Sequence, residues 1–532
     1  MIENSNIPKR YFFCGVGGSG MLPLALILKA WGHEVAGSDR AHDLGRLPEK
    51  FAWIKGQQIT LFPQNGAGLT ANFDYLIVSA AIESTIPEIV RARELGVPIL
   101  TRAQLLSQIF NAAETRVAVA GTSGKSTTTG MVAWILSYVA SQKRKSPTMI
   151  NGAPLLNFAG GSPDYSAALV GDQNLFVAEC DESDGSIVQY HPSVGILNNI
   201  ALDHQPMSEL IPLFDTYLGQ CQTCILNLSN AFITDHLAHK HRDHAITFGW
   251  GVDGAGVESV HFNITDYCPS AQGASAIVVC HIQGGQAEEK AAENGAISQK
   301  LTLSLHGRHN VENAVAAMAA CYALGVCVAE SAAALSLYLG VARRLQTIGV
   351  AQGITVIDDF AHNPDKIAAT LATLHETKGR LLVVFQMHGY GPLRLMRREL
   401  IDVFKNHLRP ARGESDETLA RGETLAGGDL LYMPEVLYMG GTADKSYSAK
   451  DFAGELNVAL NAALKAQEIV PTSHPLPPAL PQVRWFEKRE DIIAPLVNEA
   501  RAGDRIIVMG ARDDTLTIFA QEILQHIAKK GS

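Results

Sequence analysis

No part of this 532-residue chain approaches the ~20 consecutive apolar residues that a membrane-crossing helix needs. The opening MIENSNIPKR also lacks an apolar stretch with a small-residue cleavage site and runs straight into a short strand. A cytoplasmic chain with no membrane partner is the expectation. Basic surplus is missing too: 43 Lys and Arg stand against 53 Asp and Glu, a formal net charge of −10, which argues against a nucleic-acid partner or an anionic lipid surface. Cysteine is sparse, eight in all, and the close pair Cys221 and Cys224 has no second pair at zinc-ribbon spacing. Buried reduced thiols are expected. The tract at 236–244 puts His236 and His239 on one helical face, within reach of a transition metal, but a solvated helix end is the expected state. The most informative gap is local. From Ser146 through His239 there is no Lys or Arg, while ten Asp and Glu fall in that stretch. A field of that sign suits cations.

Just before that gap, RVAVAGTSGKSTTT at 116–129 reads as an apolar strand, a Gly-bounded loop and a helix start. Loop amides and the positive end of the helix dipole would face phosphate oxygens, Lys125 would neutralise β/γ charge, and the Ser126 hydroxyl would ligate Mg2+. The strict phosphate-loop pattern asks for Gly where Val119 stands, so the shortened form of Gly121, Thr122, Ser123, Gly124, Lys125, Ser126 and Thr127 calls for support elsewhere. FVAECDESD at 176–184 reads as a strand ending in carboxylates, and LNNIALDH at 197–204 as a strand ending in Asp-His. Carboxyl ends of parallel strands open on one side of a sheet, so Ser126, Glu179 and His204 form a candidate Mg2+ site beside a triphosphate.

Length implies several domains, since single cores seldom exceed ~250–300 residues. Three α/β units are expected. The first, 1–111, opens on a turn with Gly15, Gly17, Gly18, Ser19, Gly20 and Met21, followed by Ser38 and Asp39, a dinucleotide-type fingerprint. The glycines fit a nucleotide-sugar pyrophosphate or a nicotinamide dinucleotide, which makes hydride transfer the rival function. Asp39 is expected to accept from a ribose hydroxyl or from uracil. The second unit, 112–342, holds the phosphate loop and ends beyond GRHN at 307–310, where Asn310 is a helix cap or an adenine contact. The third, 343–532, starts at Arg343 and carries DDFAH at 358–362 at a strand end, with Asp359 and His362 as candidate catalytic groups. Stretches 268–300, 409–428 and 470–483 read as insertions, mobile surface loops by default, the first more specifically as a hairpin with a disordered tip.

These motifs, taken in order with VSAAI at 78–82, resemble the ATP-dependent Mur ligases of peptidoglycan synthesis over nearly the whole chain, most closely the branch of alanine-adding and murein-tripeptide ligases. The resemblance implies a Rossmann-like UDP-binding domain, a central P-loop ATPase-like domain and a Rossmann-like C-terminal domain. It implies ATP and Mg2+ as cofactors, and as partners a UDP-N-acetylmuramate-type substrate with an amino acid or peptide acceptor, L-alanine first. It places the UDP-sugar on the first glycine turn, Ser38, Asp39 and Ser79. ATP falls on residues 121–127, Asn310 and Arg343, and catalysis on Lys125, His204, Asp359 and His362. A monomer or homodimer is expected. No Lys follows His204 before Lys240, so the carbamoylated Lys of later-acting Mur ligases has no counterpart, as in the alanine-adding branch.

Several positions depart from that branch. Ser123 and Asn363 stand where His is usual, FQMHGYG at 385–391 replaces a Phe-Gln-Pro-His segment followed by arginines, and Arg394 is the nearest Arg. Those changes spare ATP and metal and bear on the acceptor. A paralogue adding another amino acid or a peptide is the neighbouring reading. A nucleotide-binding regulator without ligase activity is the reading from another class.

Overall fold

A computed structural model describes residues 7–79, 82–143, 146–158, 167–201, 206–251, 261–270, 273–281, 296–409, 428–437, 444–467, 482–510, 513 and 515–530. Its contacts divide the chain into two compact units, Met1–Cys268 with Gln272–Ala342, and Arg343–Ser532 with Pro269–Ala271. No helix among the described residues is long and apolar enough to cross a membrane.

The first unit contains two sheets. The smaller comprises β1 (Arg10–Cys14), β2 (Glu34–Ser38), β3 (Thr60–Phe62), β4 (Tyr75–Val78) and β5 (Ile99–Thr101), in the order β3-β2-β1-β4-β5. All four pairings are parallel. Parallel strands need both faces covered, which is why Tyr11, Phe12 and Phe13 are all fully buried in succession. The chain reverses direction of growth at β1, so the turn after Cys14 lies at a topological switch point. The unit also contains the helices Pro48–Gly56 and Arg102–Asn111. The last of these starts on a capping box, Thr101 and Gln104 each bonding the other's backbone N–H.

The larger sheet holds β6 (Thr115–Ala120), β7 (Pro147–Ile150), β8 (Ala168–Leu169), β9 (Asp172–Glu179), β10 (Val194–Leu197), β11 (Thr223–Asn227), β12 (Ala245–Trp250), β13 (His261–Ser270), β14 (Gly273–His281) and β15 (Ala296–Leu303). Their order is β15-β14-β13-β12-β11-β10-β6-β9-β7-β8. β6 lies between β9 and β10, parallel to both, with Val119 opposite Glu179 and Ala120 opposite Leu197. That register brings three carboxyl ends level. The helices Lys125–Lys143 and Arg308–Ala323 pack on this sheet through Met131, Ile135, Val311 and Val315, all fully buried. Each such side chain contributes about 1.5–3 kcal/mol of burial.

The stretch at 268–300 is more ordered than a surface loop: β14 and β15 pair antiparallel, Ala274 opposite Leu303 through His281 opposite Ala296, with the tip at 282–295 outside the described residues. Most of the other two expected insertions, 410–427 and 470–481, also lies outside them.

The second unit is one sheet of β16 (Gln346–Ala351), β17 (Ile354–Asp359), β18 (Leu381–Phe385), β19 (Leu430–Pro434), β20 (Val483–Phe486) and β21 (Arg505–Met509), ordered β16-β17-β21-β18-β19-β20. β16 pairs antiparallel and the remaining pairs are parallel.

Candidate functional site

Val119, where the strict pattern has Gly, is still inside β6 and wholly buried, so the first glycine of the loop comes two residues later, at Gly121. Gly121 and Gly124 have φ of +127° and +78°. A Cβ on Gly121 would fall 3.0 Å from the Asn199 carbonyl oxygen, and one on Gly124 would fall 2.4 Å from Asn313 Oδ1. Only glycine fits there. The loop is clamped by asparagines: Asn199 Oδ1 accepts from the Thr122 hydroxyl at 2.9 Å and the Ser123 N–H at 2.9 Å, while Asn198 Nδ2 donates to Thr128 Oγ1 at 2.9 Å.

Two polar side chains of the loop have carboxylate partners. Lys125 Nζ donates to Glu182 Oε2 at 2.7 Å and to the Gly121 carbonyl at 2.8 Å. The Ser126 hydroxyl donates to Glu179 Oε2 at 2.8 Å, and the Gly152 N–H reaches that same oxygen at 2.7 Å. A Cβ at position 152 would lie 2.7 Å from Glu179 Oε2 and 3.0 Å from Ser126 Oγ. Gly152 therefore keeps open the space between the two oxygens. A hydroxyl and a carboxylate at this spacing are hard oxygen donors of the kind Mg2+ takes. His204, expected as the third ligand, lies outside the described residues. β10 closes at Leu197, so Asn198 and Asn199, rather than Asp203 and His204, stand at its carboxyl end.

Asn310 is the third residue of the helix Arg308–Ala323, whose N-cap is Gly307, so the capping alternative is set aside. Its amide donates to the His306 carbonyl at 2.7 Å, and its Oδ1 accepts from Asn313 at 3.3 Å. This side chain is built into the support of the loop.

At the first turn, Gly15 has φ of +78°, and Gly18 N–H bonds the Gly15 carbonyl at 3.0 Å. Asp39 Oδ2 accepts from Gly17 N–H at 2.9 Å and Oδ1 from Ala41 N–H at 2.8 Å. These two backbone partners brace the turn. Gly20 caps the helix Met21–Ala30 without a side-chain bond. Ser38 is buried at the end of β2, and Ser79 is exposed just past β4. Arg102, not singled out from sequence, adjoins the turn, its Cδ 3.0 Å from where a Gly20 Cβ would be.

In the second unit, Asp359 is the last residue of β17 and is buried. It accepts from Thr370 Oγ1 at 2.6 Å, Phe360 N–H at 2.9 Å and Leu345 N–H at 3.2 Å. Burial raises its pKa, with the Thr370 bond opposing. Asp358, fully buried, accepts from Thr517 Oγ1 at 2.5 Å and faces Arg343 Nε at 3.6 Å. Arg343 also donates to the Gly510 carbonyl at 2.6 Å and sits 5.1 Å over the Phe360 ring. The carbonyl of Phe360 can only accept, so His362 Nδ1 carries the proton of their 2.8 Å bond and Nε2 is left as an acceptor. Burial lowers the His362 pKa from 6.5 to about 4, and its ring meets His388 edge-on at 5.4 Å. Asn363, where the resembled branch has His, caps the helix Pro364–Leu374 by accepting from Lys366 N–H at 3.0 Å.

A parallel sheet, a glycine loop at its switch point, and Lys, Ser and Glu converging on that loop define an α/β enzyme that handles a nucleoside triphosphate with a divalent cation. Family models match in succession: the catalytic domain of the Mur ligase family over residues 10–114, the Mur ligase middle domain over 119–321 and the glutamate ligase domain over 343–429. The chain is 34% identical over 412 residues to a UDP-N-acetylmuramate–L-alanine ligase of Lachnospira eligens, covering 75% of this chain and 82% of that one. It is 35% identical over 404 residues to the ligase of the same name in Streptomyces coelicolor, covering 74% and 79%. The crystal structure of UDP-N-acetylmuramate-alanine ligase MurC from Thermotoga maritima superposes with a TM-score of 0.67 at 23% identity, covering 98% of this chain and all of that one, a likeness of fold. The chain belongs to the Mur ligase family.

Proposed function

We propose that this chain is an ATP-dependent, ADP-forming ligase of peptidoglycan synthesis that joins L-alanine to the carboxylate of UDP-N-acetylmuramate. Family membership and the similar alanine ligases support the reaction. The observation that carries it to named residues is the pairing of Lys125 with Glu182 and of Ser126 with Glu179 at one loop. Carboxylate oxygen is a poor leaving group, so amide formation in water needs an activated acyl group, and transfer of the γ-phosphoryl to the muramoyl carboxylate supplies one. The amine then adds to the acyl phosphate and phosphate leaves.

In this reading Lys125 exchanges Glu182 for β/γ-phosphate oxygens, and loop amides fixed by Asn199 bind the remainder. Ser126, Glu179 and His204 would hold Mg2+, whose charge offsets the repulsion between two anionic reactants. Residues 1–111 take the UDP-sugar, with Gly15, Gly17, Gly18, Ser19, Gly20, Met21, Ser38, Asp39 and Ser79 around it. Residues 112–342 take ATP, with Thr122, Ser123, Thr127 and Asn310 contributing. Residues 343–532 supply Arg343 to ATP and His362 Nε2 to the acceptor amine, with Asp359 positioning the His362 strand end.

The test is ADP release with Mg2+, UDP-N-acetylmuramate and a panel of L- and D-amino acids and short peptides, with product masses. Alanine-dependent ADP and a product heavier by one alanyl unit are expected. A different adduct would reassign the acceptor, and nucleotide binding without any adduct would replace the ligase by a regulator.

A further inference from the structure

The two cysteine and histidine motifs that the ligase reaction leaves unused are far apart in sequence and meet in space. Cys221 and Cys224 lie in the passage from the helix Met207–Gly219 into β11, and His241 and His244 lie in the turn before β12. β11 and β12 pair in parallel with Cys224 opposite Ala245, so His244, one residue earlier, arrives beside the thiol. Cys224 Sγ and one ring nitrogen from each of His241 and His244 lie within 4.8 Å of one another. Cys224 and His241 are buried, and the two imidazoles stand perpendicular at 5.5 Å. Cys221, also buried, donates its thiol to the Tyr217 carbonyl at 3.3 Å, and Cys224 donates to the Leu218 carbonyl at 3.5 Å. Outside the cluster, Asp215 Oδ1 bonds His241 Nε2 at 2.8 Å, and Asp215 Oδ2 accepts from Lys240 at 2.7 Å. A carboxylate behind an imidazole is the outer partner that metal-ligating histidines take.

We infer that Cys224, His241 and His244 form a binding site for one Zn2+ ion, with Asp215 orienting His241. One thiolate and two imidazoles suit a tetrahedral zinc-type ion with its fourth position open, and not Mg2+, which takes hard oxygen. The site belongs to the starting ends of β11 and β12, whereas the triphosphate loop follows the carboxyl end of β6 in the same parallel run. The ion would tie the start of β11 to the His241–His244 turn, and binding would release the Cys224 thiol proton.

The test uses the full chain, reduced and stripped of metal, with excess Mg2+ present to occupy oxygen sites. After one equivalent of Zn2+ and desalting, one zinc per chain is expected, and Co2+ in its place gives thiolate-to-metal charge-transfer absorption. Cys224→Ser and His244→Ala are each expected to weaken zinc binding by more than about tenfold, and Asp215→Asn by about 10–100-fold. Lys125→Ala should bind zinc as the unaltered chain does. His244 is partly exposed, so its variant keeps the fold, which circular dichroism checks. Absence of retained zinc, equal retention by Cys224→Ser and His244→Ala, or cobalt binding without the thiolate band would overturn the assignment.

Discussion

Two glycine turns, each following a central parallel strand and opening a helix, use their carboxylates in opposite ways. At Gly15–Gly20 the acid, Asp39, is committed to backbone N–H groups of Gly17 and Ala41, and no lysine belongs to the turn. At Gly121–Gly124 the acids, Glu179 and Glu182, hold the Ser126 hydroxyl and the Lys125 ammonium, the groups a metal triphosphate would take over. In the proposed reading the same backbone device serves two chemistries: a turn braced by its own carboxylate would offer amides to a diphosphate, whereas a loop whose acids hold a hydroxyl and a lysine would exchange those partners for a triphosphate.

Lys125→Ala breaks the comparison most severely. Single-turnover ADP formation should fall by about 10²–10³-fold, ~3–4 kcal/mol by analogy with loss of one electrostatic donor, with UDP-sugar affinity unchanged. A near-normal rate would remove Lys125 from the mechanism.

Gly124→Ala and Gly15→Ala share φ of +78°, for which an L side chain costs about 1–2 kcal/mol. They differ in space: the Gly124 Cβ meets Asn313 at 2.4 Å, and the Gly15 Cβ meets nothing within 4 Å. Denaturant titration should show the larger loss for Gly124→Ala, with the ATP site affected; equal losses would mean that the asparagine support yields freely.

Asp39→Ala removes a helix cap and the Gly17 brace, about 1 kcal/mol of stability. It should raise KM for the UDP-sugar and leave KM for ATP alone. A parallel rise in both would merge the two turns into one functional unit.

A further effect is on pH dependence. Burial lowers the His362 pKa to about 4 in the folded chain, against 6.5 in the unfolded one. Between those values the unfolded chain binds the extra proton, so stability falls as pH drops from 6.5 towards 4. The wild-type slope in that window should exceed that of His362→Gln; identical slopes would contradict a buried neutral imidazole.

The strands that carry the site were legible because apolar runs end abruptly in Gly or acid, as at Ala120, Glu179 and Asp359. The groups that shape the site were less so. Asn199 acts on Ser123 across 76 positions, Asn198 on Thr128 across 70, and Gly152 matters through Glu179 across 27. Such roles arise from strand register, which spacing along the chain does not encode. Cys224 and the histidine tract each looked inert alone, and the β11–β12 register joins them.

Equilibrium binding of UDP-N-acetylmuramate and of a non-hydrolysable ATP analogue, each with and without Mg2+, tests the contrast between the turns most directly. Withdrawal of Mg2+ should sharply weaken the ATP analogue and leave UDP-N-acetylmuramate affinity unchanged; a parallel loss of both, or none for the ATP analogue, would contradict it.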